Sequence, residues 1–233
     1  MNLIKSISKL LTFSFIALAS LVFVITILVL PNSDTNKAID NSINDKANNT
    51  EPLLVSETLD YDDIYEYSSN ILDIKAHLRG YKALSNEDKI LKYSLKEDYY
   101  TSENIKKTLK SGNIYYDLDA YNANNDSTIS LYITSSNSLN NKTILKQYSN
   151  TKLKQLEESY LEAGYKDISI STKTIKLFNK DTSLLETKYI DLDNNQVYQY
   201  TVFIINNKYL GTLNITSINE DYFDEVIEMF GNR

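Results

Sequence analysis

Three groups of acidic residues carry the spacing that chemistry would need. Near the C-terminus, "SINEDYFDEVIEMF" holds Glu220, Asp221, Asp224, Glu225 and Glu228. "DLDNNQVYQYTV" places Asp191, Asp193 and Asn195 at the first, third and fifth positions of an EF-hand loop. "YYDLDAY" sets Asp117 and Asp119 two apart, on one strand face by simple alternation. The first group would need oxygens converging on one point to hold a hard cation, and neighbours on a convex helix diverge. They read as the wet side of a structural helix. Ser217 and Glu220 form an S-x-x-E capping box. Phe223, Val226, Ile227 and Phe230 then recur at i, i+3, i+4 and i+7. The second group fails as a calcium loop, because Gln196 stands where Gly is required and Val202 where a bidentate Glu should be. It reads as a hairpin turn. Asp117 with Asp119, or Asp191 with Asp193, could run a glycoside hydrolysis if held in a cleft with opposed environments. Acids flanking hairpins read first as solvated surface.

Other chemistry is starved of parts. The single histidine, His77, has no serine or acid partner in a recognisable pattern, so it reads as a surface or edge residue. The chain has no cysteine, which removes disulfides, thiol catalysis and zinc–thiolate sites. Five glycines are too few and too scattered for a phosphate cradle. We therefore assign no catalytic, cofactor-binding or metal-ligating residue, and expect a protein that is not an enzyme. The compositional excess is tyrosine, at 19 residues. Tyr115, Tyr116, Tyr121, Tyr132, Tyr189, Tyr198, Tyr200 and Tyr209 all fall on expected strands, where tyrosine packs well in cross-strand pairs. The alternative is an aromatic surface for a glycan or peptide.

The elements that would position these residues follow from periodicity. "NILDIKAHL" alternates as a half-buried strand should. Ser85 with Asp88 predicts a helix N-terminus before Ile90, Leu91 and Leu95, and Thr101 or Ser102 predicts another, closed by Gly112. "IYYDLDAY" and "STISLYITS" flank the turn "NANND" as a hairpin. A long helix is expected from about Thr143 to Ala163, with Leu145, Leu153, Leu156, Tyr160 and Ala163 on one stripe and Gly164 at its end. Four strands in meander order come next, joined by "NKDT", "DNN" and "NN", and "VFII" marks a central strand. The expectation is an α+β domain with a mostly antiparallel sheet of six or seven strands.

"YYDLDAYNANNDSTISLYI", the helix end "LEESYLEAGY", "DLDNNQVYQYTVFIINNKYLGTLNITS" and "YFDEVIEMF", in that order, resemble the PsbP/Mog1 fold, and in particular its small exported bacterial members. The resemblance spans roughly residues 71–230 and implies an α/β/α sandwich whose C-terminal helix follows a strand directly. No functional residue of plant PsbP or of the Ran-binding Mog1 proteins maps onto a motif here, so none is carried over. The chain departs from lipoprotein relatives in lacking a cysteine to acylate.

The first residues address the chain. Lys5 and Lys9 precede "LLTFSFIALASLVFVITILVL", which runs uncharged from Leu10 to Leu30. At ~1.5 Å per residue it spans about 31 Å, the thickness of a bilayer's hydrocarbon core. A cleaved signal is the rival, because Ala17-Leu18-Ala19 resembles a cleavage site, but eleven further apolar residues follow it. All 31 acids lie after residue 30, and of the 24 bases only Lys5 and Lys9 lie before it, which orients the span with its N-terminus inside. We therefore expect residues 1–9 in the cytoplasm, 10–30 as a transmembrane anchor, 31–66 as a flexible polar stalk and 67–233 as an extracytoplasmic globular domain. The net charge of −7 disfavours nucleic acid as a partner. The expected partners are the membrane, through residues 10–30, and a protein at the cell surface. The expected role is a non-catalytic accessory or binding domain. Its rivals are a subunit of a membrane complex, docked through Ser14, Ala17, Ala19 and Ser20 of the span, and a carboxylate-based hydrolase.

Overall fold

In the computed structural model, residues 64–135, 143–145, 148 and 150–231 are described, so the predicted anchor and most of the stalk lie outside the described residues. Among the described residues no helix is long and apolar enough to cross a membrane.

The order of elements is β1 (Ile64–Ser69), β2 (Ile74–Arg79), β3 (Lys82–Ala83), α1 (Asn86–Lys92), α2 (Ser102–Lys110), β4 (Tyr115–Asn122), β5 (Ser127–Ser135), α3 (Asn150–Glu162), β6 (Lys166–Leu177), β7 (Lys180–Ile190), β8 (Gln196–Asn206), β9 (Tyr209–Ile218) and α4 (Phe223–Gly231). Seven strands form one antiparallel sheet in the order β3-β4-β5-β9-β8-β7-β6, and β1 pairs with β2 in a separate ribbon. The fold is thus α+β with a seven-stranded antiparallel sheet. The meander expected from "NKDT", "DNN" and "NN" forms as β6 to β9, and β9 then pairs with β5 along its whole length.

Two expectations about the N-terminal edge of the domain need correction. β1 occupies Ile64–Ser69, so residues 64–66, placed in the stalk, are strand. The strand read into "NILDIKAHL" starts only at Ile74, because Ile71–Asp73 form the turn that joins β1 to β2. Asp73 turns at φ 57°, a conformation Asp tolerates because its short side chain can bond locally. The alternation is then clean: Ile74, Ala76 and Leu78 are buried.

Helix caps follow the sequence closely. Ser85 and Asp88 form a reciprocal capping box on α1, and Thr101 caps α2 through the Asn104 amide. Leu91, expected to pack, is 79% exposed, whereas Lys89 is buried. The last turn of α3 closes on Gly164 at φ 88°, with the Tyr165 amide donating to the Tyr160 carbonyl. Residues 143–145 are helical, but 146, 147 and 149 lie outside the described residues, so α3 itself begins at Asn150.

The core lies on the sheet face that packs against β1, β2 and α4. Phe223, Val226 and Phe230 are buried and Ile227 is half-buried, as the stripe predicts. Phe223 stacks on Tyr200 of β8 at 4.3 Å between ring centroids, and Phe230 meets Tyr67 of β1 edge-on at 6.3 Å. The capping box read at Ser217 does not form. Ser217 is a β9 residue paired with Ser127 and Tyr198, and α4 starts at Phe223, where the Asp221 carboxylate accepts from the Phe223 amide.

Candidate functional site

The two carboxylates of β4 do not share a face, because a bulge lies between them. Tyr116 pairs with Tyr132 but Leu118 pairs with Leu131, leaving Asp117 as the extra residue. Asp117 accepts the Tyr67 phenol at 2.7 Å, toward the β1–β2 ribbon. Asp119, 7% exposed, accepts from Lys92 at 2.6 Å and from the Tyr93 phenol, both at the end of α1 on the other face. Simple alternation could not reveal this, since one inserted residue resets the phase of every side chain beyond it.

Around Asp119 the rings gather. Tyr93 stacks on Tyr116 at 4.0 Å and meets Tyr132 edge-on at 6.5 Å. Burial pushes the Tyr93 phenol far above its ordinary value, with Tyr132 and Asp119 adding to the effect. Burial likewise raises Tyr132 to about 12, helped by Asp119. A phenol held neutral beside a paired carboxylate contributes hydrogen bonds but no charge at neutral pH.

β3 covers the outer edge of β4 at Ala120 and Tyr121, and the rest of that edge is closed mostly by side chains. Its outward carbonyls accept in turn from the Tyr99 phenol (on Ile114, 2.6 Å), the Tyr100 phenol (on Tyr116, 3.0 Å), Lys89 Nζ (on Asp117, 3.0 Å) and the Leu84 amide (on Asp119, 2.8 Å). Lys89 also lies 4.6 Å above the Tyr100 ring. Its burial lowers the ammonium's pKa, and the nearby Asp117 and Asp119 oppose that shift. Sequence reasoning missed Lys89, Tyr93, Tyr99 and Tyr100. The adjacent "YY" and the lysine three residues into α1 carry no period that would single them out.

The remaining candidates resolve into structural roles. Asp191 Oδ1 accepts from the amides of Asp193 and Asn195, an Asx-type turn across the β7–β8 hairpin and not a cation loop. Among the described residues no three His, Cys, Asp or Glu side chains cluster to hold a metal. His77 Nδ1 lies 2.6 Å from Glu66 across the β1–β2 ribbon, exposed. Of the acids before and in α4, Asp221 bonds the Tyr200 phenol and lies 3.7 Å from Lys188, while Glu220 accepts from Tyr222. Lys188 and Lys173 both bridge Glu186, at 2.9 and 2.8 Å. Burial pushes the Glu186 carboxyl up, but the two lysines outweigh it and hold it below the usual carboxylate value. The eight strand tyrosines are all buried or half-buried.

The sheet face toward α3 is unusually polar for a buried surface. Register aligns Thr187, Gln199 and Thr216 in one row across β7, β8 and β9, and Thr201 and Asn214 in the next. All five are at most 6% exposed. Thr201 donates to Asn214 Oδ1 and the Tyr160 phenol of α3 to Gln199 Oε1. Asn214 Nδ2 is buried with no partner among the described residues.

No known family profile matches the chain, and no curated protein matches it by sequence. Among solved structures it is similar to cyanobacterial PsbP from Synechocystis sp., at 14% identity and TM-score 0.46 over 78% of this chain and all of that one. It is also similar to LpqN of Mycobacterium tuberculosis, described as involved in cell envelope biogenesis, at 14% identity and TM-score 0.32, over 50% of this chain and 72% of that one. A protein of unknown function from Pseudomonas aeruginosa, described as a putative regulator, follows at 9% identity and TM-score 0.28, over 73% of this chain and 97% of that one.

Proposed function

We propose that this chain is a membrane-tethered, extracytoplasmic domain that binds a partner and catalyses nothing. One observation carries the reading: three of the four paired acids whose spacing suggested chemistry already hold partners within the fold. Asp117 holds Tyr67, Asp119 holds Lys92 and Tyr93, and Asp191 holds its own turn. A general acid or nucleophile works within reach of a substrate, and these three face groups of their own fold. The uncharged stretch from Leu10 to Leu30, with lysines before it and acids after it, supports the tether and its direction.

The natural absence of cysteine makes the topology directly testable. In the full chain, Lys208→Cys, on the exposed β8–β9 turn, should react with a membrane-impermeant maleimide in intact cells. Ser6→Cys should react only after lysis. Labelling in the opposite order, or recovery of the chain in the soluble fraction, would overturn the proposal.

A further inference from the structure

We propose that the polar strip of the sheet beneath α3 is a binding site for a small, uncharged, hydroxyl-rich molecule of the size of a single neutral sugar ring. This deepens the reading of the chain as a binding domain and rests on it. The two faces of the same strands are built differently. Toward β1, β2 and α4, the strands β5, β9 and β8 present Ile129, Leu131, Leu213, Ile215, Tyr200 and Val202. On the opposite face they present Thr128, Ser130, Asn214, Thr216, Gln199 and Thr201, which register sets side by side in two rows. Packing alone favours aliphatic side chains at such positions, because a buried polar group must first give up its hydration. Hydrogen-bonding capacity is also left over on this face. Asn214 Nδ2 and the phenols of Tyr189 and Tyr148 are buried without a partner among the described residues. Tyr189 lies against Tyr160 of α3 at 5.0 Å between ring centroids, and Tyr148 against Phe203 of β8 at 5.7 Å, so both belong to this layer.

Access comes from β5 and from α3. Asn214 is 6% exposed, whereas its neighbours Thr128 and Ser130 are half-buried, so the strip opens toward β5. The cover over its other end is light. Of the 13 residues of α3 only Leu156 and Tyr160 are buried, and an element so sparsely anchored opens at a fraction of the free energy of global unfolding. Chemistry and size then select the ligand. Hydroxyls and carboxamides both donate and accept, which matches a molecule whose own groups do the same. The ionised group that borders the strip, Asp119 opposite Ser130, is already matched by Lys92, so a charged ligand would meet no free counter-charge there. Across β5, β9 and β8 two strand spacings give about 10 Å, and two positions along each strand give about 7 Å, an area that one pyranose covers.

The test uses the full chain in micelles of a sugar-free detergent, with glucose and N-acetylglucosamine as probes and glucuronate and protonated glucosamine as charged counterparts. Saturation-transfer NMR should show contact with the neutral pair at millimolar concentration and not with the charged pair, and added salt should leave the binding unchanged. Hydrogen exchange within 150–162 should slow when a neutral sugar is present. Thr201→Val with Asn214→Leu removes the hydrogen-bonding groups while keeping the bulk, and should weaken binding by about tenfold or more. Ser130→Val, at the half-buried border, is a smaller change on the same strip and should weaken it several-fold, with far-UV circular dichroism checking that the sheet survives in both. Binding that both variants leave intact, equal contact by the charged sugars, unchanged exchange within 150–162, or no contact with either neutral sugar would overturn the proposal. Any of these would leave the maleimide result standing, so a failure of the strip and a failure of the tether are told apart.

Discussion

Asp117 and Asp119 show how closely spaced identical side chains come to do different work. Asp119 carries the larger burden, since it is buried, ion-paired with Lys92 and bonded to Tyr93. Asp119→Asn should cost about 1–3 kcal/mol, because the replacement amide leaves Lys92 without its counter-charge. Asp117→Asn should cost less, since an amide oxygen can still accept from Tyr67. Urea unfolding at neutral pH would rank them, and a cost from Asp117→Asn equal to or above that of Asp119→Asn would contradict this account. The tyrosines set an alkaline limit. Burial raises Tyr67, Tyr93, Tyr132 and Tyr189 above their unfolded value of 10.0. The folded state therefore holds protons that the unfolded chain releases, and the associated stability is whole below pH 10 and is lost as pH rises beyond it. Lys89, shifted the other way, is a single group against several. Much of the phenolate absorbance should accordingly appear together with loss of ellipticity; ionisation of all 19 tyrosines in a still-folded chain would contradict the burial.

Which elements could be read in advance depended on whether their signals were local. Ser85 with Asp88 capped α1 as expected because both partners lie within one turn. Ser217 with Glu220 has the same spelling, yet Ser217 is taken by β9, whose pairing with β5 and β8 on either side outweighs one cap. Likewise the meander was readable from its short turns, whereas the bulge in β4 and the side chains that close its edge were not. They depend on α1 and α2 folding back over the strand, which no period encodes. At Gly211 of β9 an added Cβ would strike Leu72, in the turn joining β1 to β2. Gly211→Ala should cost about 1–3 kcal/mol. Leu72→Ala in the same chain should recover part of that, so the double variant should be more stable than the sum of the singles implies; strict additivity would refute the contact. On the polar face, Asn214 leaves its amide without a partner among the described residues, at a cost of about 1–3 kcal/mol. Thr201→Val with Asn214→Leu should hold or raise the melting temperature, and a marked fall in calorimetry would show that the amide has a partner.

As one body, the domain should be most stable on a plateau bounded by acids below and phenols above. Glu186, held under its ordinary value of 4.5 by Lys173 and Lys188, contributes stability that is present above that value and fades as pH drops through its lower folded value. Because the group is partly exposed and its lysines more so, the acid limb should be shallow and should weaken further in salt. A steep, salt-insensitive acid transition would point to a different carboxylate. The seam between β5 and β9 has a temporal consequence. Everything that closes the β4 margin is encoded before β5 ends, whereas the partner of β5 on its other side is the last strand of the sheet. During synthesis, therefore, the first half emerges with its outer carbonyls already silenced by its own tyrosines and lysine, and only its inner flank waits. The meander can zip from short turns on its own, and the join between the two halves bears the greatest chain-closure entropy, so it should form last. Pulse-labelled hydrogen exchange during refolding would see this as late protection of Ser127–Ser135 against β9. Early protection there would mean that the two halves condense together.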